Sequence, residues 1–222
     1  MKRLDTDVVV IGGGSTGLGV VRDAAMRGYR AVLVERVDLG QGTTGRFHGL
    51  LHSGGRYVVS DPGSATECAE ENAILRRIQA SAVEDTGGFF VTLADDDPAY
   101  ADKFLEGAKA TGVPATEISV KEALRREPRL DPRIQRAIEV ADGSVDGWQL
   151  VWGAARSAEA HGAKVLTYHR VMKIERDGDR VAAVICRDEK GGEDVRITCT
   201  FVLNCAGPWA GQIAEMAGAE PV

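Results

Sequence analysis

Residues 7–17 read Asp-Val-Val-Val-Ile-Gly-Gly-Gly-Ser-Thr-Gly, and this stretch limits the possible folds more than any other. The run Val8-Val9-Val10-Ile11 is apolar at every position, which predicts a strand covered on both faces, as in a parallel sheet. Gly12, Gly14 and Gly17 follow at once in G-x-G-x-x-G spacing, and a helix predicted to reach Met26 or Arg27 is stopped by Gly28. A second apolar strand over residues 31–35 ends in Glu35, eighteen residues after Gly17. That order has a physical reading. Gly12 makes a tight turn, Gly14 lets a pyrophosphate approach the backbone, and the helix start at Ser15 and Thr16 offers N–H groups and a partial positive charge. Glu35, with Arg36 beside it, is placed to accept from an adenosine ribose hydroxyl. A carboxylate there favours a free 2′-OH and disfavours NADP. One departure is Val21, where the helix usually has Gly or Ala for close packing. NAD and FAD proteins share this fingerprint, so it does not choose between them.

The remaining numbers exclude several classes. With 222 residues the chain can form one large domain or two small ones. Its 44% hydrophobic and 27% charged residues are those of a folded, soluble protein. A net charge of −6 provides no global basic field, so nucleic acid is not an expected partner. No run of eighteen apolar residues could span a bilayer. The amino terminus has two basic residues and a short apolar run leading into glycines, without a small-residue cleavage site, so a cytoplasmic location is expected. Cys68, Cys186, Cys199 and Cys205 form no C-x-x-C pair, which argues against zinc, iron–sulfur or disulfide frameworks and for buried thiols.

Residues 43–58, Thr-Thr-Gly-Arg-Phe-His-Gly-Leu-Leu-His-Ser-Gly-Gly-Arg-Tyr-Val, hold two histidines, two arginines and four glycines. A buried helix does not tolerate that glycine content. His48 and His52 are spaced as metal ligands can be, but the glycines break a helical face and the stretch has no carboxylate, so no metal is expected. Further on, Asp61-Pro62 opens a helix to about Ala80, with Ala65, Cys68, Leu75 and Ile78 on one face. A strand over residues 89–93, a helix capped by Asp97-Pro98 and stopped at Gly112, a capping box at Ser119 and Glu122, and a strand over residues 136–140 come next. Asp146 caps a helix to about His161, with Trp148 expected in the core and His161 and His169 on the surface. Strands are predicted over 164–168, 171–176, 180–187 and 194–203, the middle two joined at Asp177-Gly178. The last of them is read as a buried strand ending at Asn204, with Pro208 opening a helix. The organisation expected is an α/β fold. A discontinuous Rossmann-like domain over 1–79 and 143–222 holds an inserted α+β domain that begins over 80–142.

The segment from Thr43 onward, with "TGGFFVTLADDD", "ADGSVDGWQL" and "NCAGPWA" in that order, resembles FAD-dependent oxidoreductases of the D-amino-acid-oxidase type. Within that group it is most similar to the FAD-dependent glycerol-3-phosphate dehydrogenases, especially the anaerobic large-subunit branch, across essentially the whole chain. The resemblance implies FAD as cofactor. It implies that Thr43, Thr44, Gly45, Arg46 and His48 bond the pyrophosphate and flavin edge, while Gly49, Leu50 and Leu51 pass beside the ring. Val171 is implied at the adenine, and Ala206 and Gly207 near the pyrophosphate. His52 and Arg56 match the pair lining the substrate face, suited to taking a hydroxyl proton and holding a substrate anion. The implied partners are a small-molecule substrate (glycerol 3-phosphate or a 2-hydroxyacid) and quinone or another electron acceptor, with peripheral membrane association as a possibility. Members of that family run well over a hundred residues further, so a truncated or split chain is expected. The competing expectations are a 2-hydroxyacid or amine oxidase of the same fold and a non-catalytic FAD-binding fragment.

Overall fold

The computed structural model describes residues 1–97 and 99–219. It opens with β1 (Lys2–Asp5), β2 (Val8–Ile11), α1 (Ser15–Met26), β3 (Ala31–Val34) and the short β4 (Leu50–Leu51). Next come α2 (Pro62–Ile78), β5 (Val83–Glu84), β6 (Gly88–Thr92), α3 (Tyr100–Thr111), β7 (Ala115–Ile118) and α4 (Val120–Arg126). After these are β8 (Arg136–Val140), β9 (Gly143–Val145), α5 (Gly147–Ala160), β10 (Lys164–Leu166) and β11 (His169–Asp177). The chain finishes with β12 (Arg180–Asp188), β13 (Asp194–Thr198), β14 (Phe201–Asn204) and α6 (Ala210–Met216). It divides into two compact units, residues 1–48 with 147 onward, and residues 49–146.

In the first unit a parallel sheet has the order β10-β3-β2-β14. Alternation along β2 explains why its run is apolar throughout. Val8 and Val10 face a core made with Leu18, Val21, Ala155 and Ala158 of α1 and α5. Val9 and Ile11 face the opposite way, onto Val171, Ile174, Val184 and Ile197 of a second sheet, β1-β13-β12-β11. The unit is thus helices, parallel sheet and second sheet in three layers. Val21 is fully buried, and alanines of α5 accommodate it where a smaller residue is usual. Burying each such valine or leucine contributes about 1.5–3 kcal/mol.

The strand expected over 194–203 is two strands in two sheets. β13 pairs with β12 and β1, whereas β14 pairs with β2. The changeover is at Cys199 and Thr200: Cys199 donates its N–H to Ala182, and the next N–H, from Thr200, donates to Asp7. β14 is also not buried as expected, because Phe201 and Leu203 are 60% and 40% exposed. Trp148, expected in the core, is 45% exposed on α5.

In the second unit β6-β8-β7 forms an antiparallel sheet, and β4-β9-β5 forms a smaller one. The core joins Val58, Ala65, Phe104, Ile138 and Val140, with the Phe90 and Phe104 rings 4.6 Å apart. Residues 49–79, expected with the first domain, belong here instead. The reason is packing: Ala65 of α2 sits against Phe104 of α3, and the Thr66 hydroxyl donates to the Thr111 carbonyl. The face expected for α2 is also corrected, since Ile78 is exposed while Asn72 is buried. At α4 the Ser119 hydroxyl accepts from the Glu122 N–H, but Glu122 turns to Arg125, so half of the capping box forms. Asp97 accepts from the Ala99 N–H ahead of α3, and the expected cap at Pro98 lies outside the described residues.

Candidate functional site

The turn after β2 is built by two close approaches. Gly12 has φ +114°, and a Cβ there would overlap the Cys205 carbonyl arriving from the end of β14. A Cβ on Gly17 would overlap the Gly12 carbonyl, so α1 can rest directly on the turn. The helix begins at Gly14, which has no side chain to cap it, and its first turn contains no acidic residue. The Ser15 N–H donates to Thr44 Oγ1 at 3.1 Å, bringing residues 43–46 over the helix start as a 3-10 turn. A helix start with a glycine at its cap and no carboxylate in its first turn suits a phosphate.

Around this turn the first unit encloses a cavity of about 570 Å³. Gly12, Gly14, Ser15, Thr16, Glu35, Arg36, Thr43 and Thr44 all line it. Val171, Ala206 and Gly207 are on its walls as well. Glu35 accepts from the Gly13 N–H at 2.7 Å through one oxygen and from the Val37 N–H at 2.9 Å through the other. A carboxylate has about four acceptor sites, so it keeps capacity for a hydroxyl. The Arg36 guanidinium lies 4.0 Å from the Trp209 ring centroid. Cys205 also lines the cavity, and burial pushes its thiol pKa upward, keeping it neutral.

Some expected residues do not line this cavity. Gly17 supports the turn from beneath, Arg46 lines a shallower recess beside Arg36, and Gly45 and His48 are exposed without lining the cavity. Gly49, Leu50 and Leu51 belong to the second unit, where β4 pairs with Gly143 and Ser144 of β9. Conversely, Gly13, Trp209 and His169 line the cavity although the sequence reading does not single them out as site residues, and His169 is expected there at the surface. For Gly13 the available signal is the unbroken Gly12-Gly13-Gly14 run.

His52 and Arg56 both fall in the second unit. Arg56 is exposed in a 3-10 turn, whereas His52 is held in a polar cluster. Its Nδ1 is 3.5 Å from Asp142 Oδ2. Asp142 Oδ1 accepts from both the N–H and the hydroxyl of buried Ser53, each at 2.7 Å. Buried Asn72 donates to the carbonyls of Leu51 and His52, at 3.3 and 3.1 Å. Arg76 donates to Asn72 Oδ1 at 2.6 Å and to the Ala141 carbonyl at 2.9 Å, and it also pairs with Asp85. Among the described residues no cluster of three or more His, Cys, Asp or Glu side chains could hold a metal.

A glycine turn on a parallel sheet, a glycine-capped helix start and a carboxylate at the next strand end define a dinucleotide-binding protein. The chain belongs to the FAD dependent oxidoreductase family, which it matches over residues 7–222. It is 48% identical to a subunit of the anaerobic glycerol-3-phosphate dehydrogenase of Haloferax volcanii, over 98% of this chain and 39% of that protein. The corresponding protein of Escherichia coli K12 is 44% identical over 98% of this chain and 41% of its own length. The chain therefore spans about two fifths of these curated relatives. A glycerol-3-phosphate dehydrogenase from Bacillus halodurans, solved with FAD, superposes with TM-score 0.72 at 25% identity, covering 96% of this chain and 36% of that one. L-proline dehydrogenase from P. horikoshii superposes with TM-score 0.83 at 24% identity, over 97% and 56%, which shows the shared fold. The residues present fit FAD, because the helix start can take its pyrophosphate and Glu35 its ribose.

Proposed function

We propose that this chain binds FAD and takes part in oxidising sn-glycerol 3-phosphate to dihydroxyacetone phosphate, with electrons passed on to quinone. The observation that supports this most is the 48% and 44% identity, across 98% of the chain, to proteins bearing that dehydrogenase activity in their names. Bound FAD supplies the hydride acceptor for the carbinol carbon. The chain's residues do the rest. Gly12, Gly14, Ser15 and Thr16 hold the pyrophosphate against the start of α1, Glu35 takes the adenosine ribose, and Val171 packs on the adenine. Thr43, Thr44, Gly45, Arg46 and His48, with Ala206 and Gly207, complete the contacts to the pyrophosphate and flavin edge. Gly49, Leu50 and Leu51 run beside the ring.

His52 takes the substrate hydroxyl proton as the C–H bonding pair leaves, forming the carbonyl. Arg56 holds the substrate phosphate with its forked guanidinium. A quinone acceptor dissolves in lipid, so the protein works at the inner face of the membrane from the cytoplasmic side. Among the described residues no helix is long and apolar enough to cross a bilayer.

The test is to purify the protein, identify the released cofactor by its spectrum, and mix the holoprotein anaerobically with candidate substrates. Bleaching of the flavin by sn-glycerol 3-phosphate supports the reading. Released NAD without flavin, or bleaching by 2-hydroxyglutarate or an amino acid and not by glycerol 3-phosphate, overturns it.

A further inference from the structure

We infer that Asp142 is a positioning residue: it fixes the proton of the His52 imidazole on Nδ1 and so keeps Nε2 basic. This rests on the proposed role of His52 as the proton acceptor. The geometry divides the Asp142 carboxylate between two tasks. Oδ1 is taken by the Ser53 N–H and hydroxyl, both at 2.7 Å. Oδ2 faces His52 Nδ1 at 3.5 Å, with the Asp142 side chain only 12% exposed. That separation is longer than a hydrogen bond, as such contacts commonly are before substrate arrives.

A neutral imidazole carries one proton, and a carboxylate beside Nδ1 accepts from it, which puts the lone pair that takes a proton on Nε2. The two strands of backbone that bring these side chains together are held by one helix. From α2, Asn72 bonds the carbonyls of residues 51 and 52, and Arg76 bonds that of residue 141. Asn72 and Arg76 are themselves bonded at 2.6 Å. The spacing between His52 and Asp142 is thus set by backbone bonds that do not involve the imidazole ring.

Asp142→Asn separates the two tasks. The Ser53 N–H is an obligate donor, so the amide oxygen must stay on Ser53 and the NH2 must face His52 Nδ1. A donor at that place forces the proton onto Nε2 and removes the basic lone pair. The first measurement is the His52 tautomer in the 222-residue chain, labelled with 15N-histidine, by long-range 1H–15N correlation at a pH where the ring is neutral. His52→Gln identifies the signal. The Nδ1–H form is expected in the wild type and the Nε2–H form in Asp142→Asn. An Nε2–H wild type, which needs no variant to fold, or an unchanged tautomer in Asp142→Asn, overturns the role of Asp142 and leaves the reading of His52 standing.

The second measurement is flavin reduction by saturating sn-glycerol 3-phosphate in single-turnover mixing of the holoprotein. Asp142→Asn is expected to slow it by about tenfold or more and to add nothing in a His52→Ala background. A further loss in that background overturns coupling through His52. If His52→Ala itself reduces flavin at the wild-type rate, the proton-acceptor reading fails, and the catalytic sense of Asp142 fails with it.

Discussion

Gly12 is a glycine for two independent reasons, its φ of +114° and the Cys205 carbonyl pressed against it. Gly12→Ala is therefore expected to cost about 1–3 kcal/mol from backbone strain alone, read by urea unfolding, and to abolish flavin retention on a desalting column. A variant that keeps yellow flavin and wild-type stability would contradict the close approach. Arg56 is exposed and proposed to touch only the substrate anion. Arg56→Ala is expected to raise KM by about 10- to 100-fold, equivalent to roughly 1.5–3 kcal/mol for one charge-assisted contact, with little change in the limiting rate of flavin reduction. Loss of flavin in that variant would place Arg56 on the cofactor instead. At this scale the glycines and Glu35 were legible, because spacing within thirty residues carries their meaning. Asp142 was not, since nothing local to it marks a carboxylate that must meet a histidine ninety residues earlier.

Elements were read well where periodicity is local and poorly where one segment serves two partners. α1 and β3 match expectation closely, but the 194–203 run hid a change of sheet, because no glycine or proline interrupts it and only the pairing with β2 separates its halves. Helix α2 misled in another way. Its buried middle residue is Asn72, a polar side chain that apolar periodicity cannot flag. Asn72→Ala strips the Leu51 and His52 carbonyls and the Arg76 guanidinium of a partner, and about 1–3 kcal/mol of lost stability in chemical denaturation is expected. A loss below half a kcal/mol would mean that water replaces the amide freely. In the second sheet, burial pushes the Cys186 thiol up to about 12 and that of Cys199 to about 11. Both folded-state values are raised above the unfolded value near 8.5. Above that pH the unfolded chain loses protons that the folded chain keeps, so stability is full below about pH 8.5 and declines as pH rises toward about 11–12. The melting temperature should fall between pH 8 and 10, and fall less steeply in Cys186→Ala; an identical slope would show that Cys186 is not the group responsible.

At the scale of the molecule, the cavity is lined entirely by residues of the first unit. The two points where the chain leaves and re-enters that unit are neighbours, since a Cβ on Gly147 would fall 3.1 Å from the Thr44 carbonyl and 2.8 Å from the Phe47 ring. Replacing residues 49–146 with a short Gly/Ser linker is expected to leave a folded protein that still binds FAD, measured by quenching of flavin fluorescence on titration. A folded product, by circular dichroism, without flavin binding would show that the second unit is needed for the cofactor. The return of the chain to the first unit after residue 146 was marked by the helix-capping Asp146 and the strands that follow its helix. The boundary after residue 48, expected near residue 79, was not, because α2 chooses its unit by packing on α3, a helix that follows it in the chain.

The contact between Gly12 and Cys205 also sets an order in time. The fingerprint turn leaves the ribosome well ahead of its partners, because one side of β2 and the carbonyl that closes the turn come roughly 190 residues later. At a synthesis rate of about 5–20 residues per second, that interval lasts about 10–40 s. For that time the nascent chain presents an apolar strand with an open edge, a natural place for a chaperone to hold it, while residues 49–146 already have all of their own core available to fold.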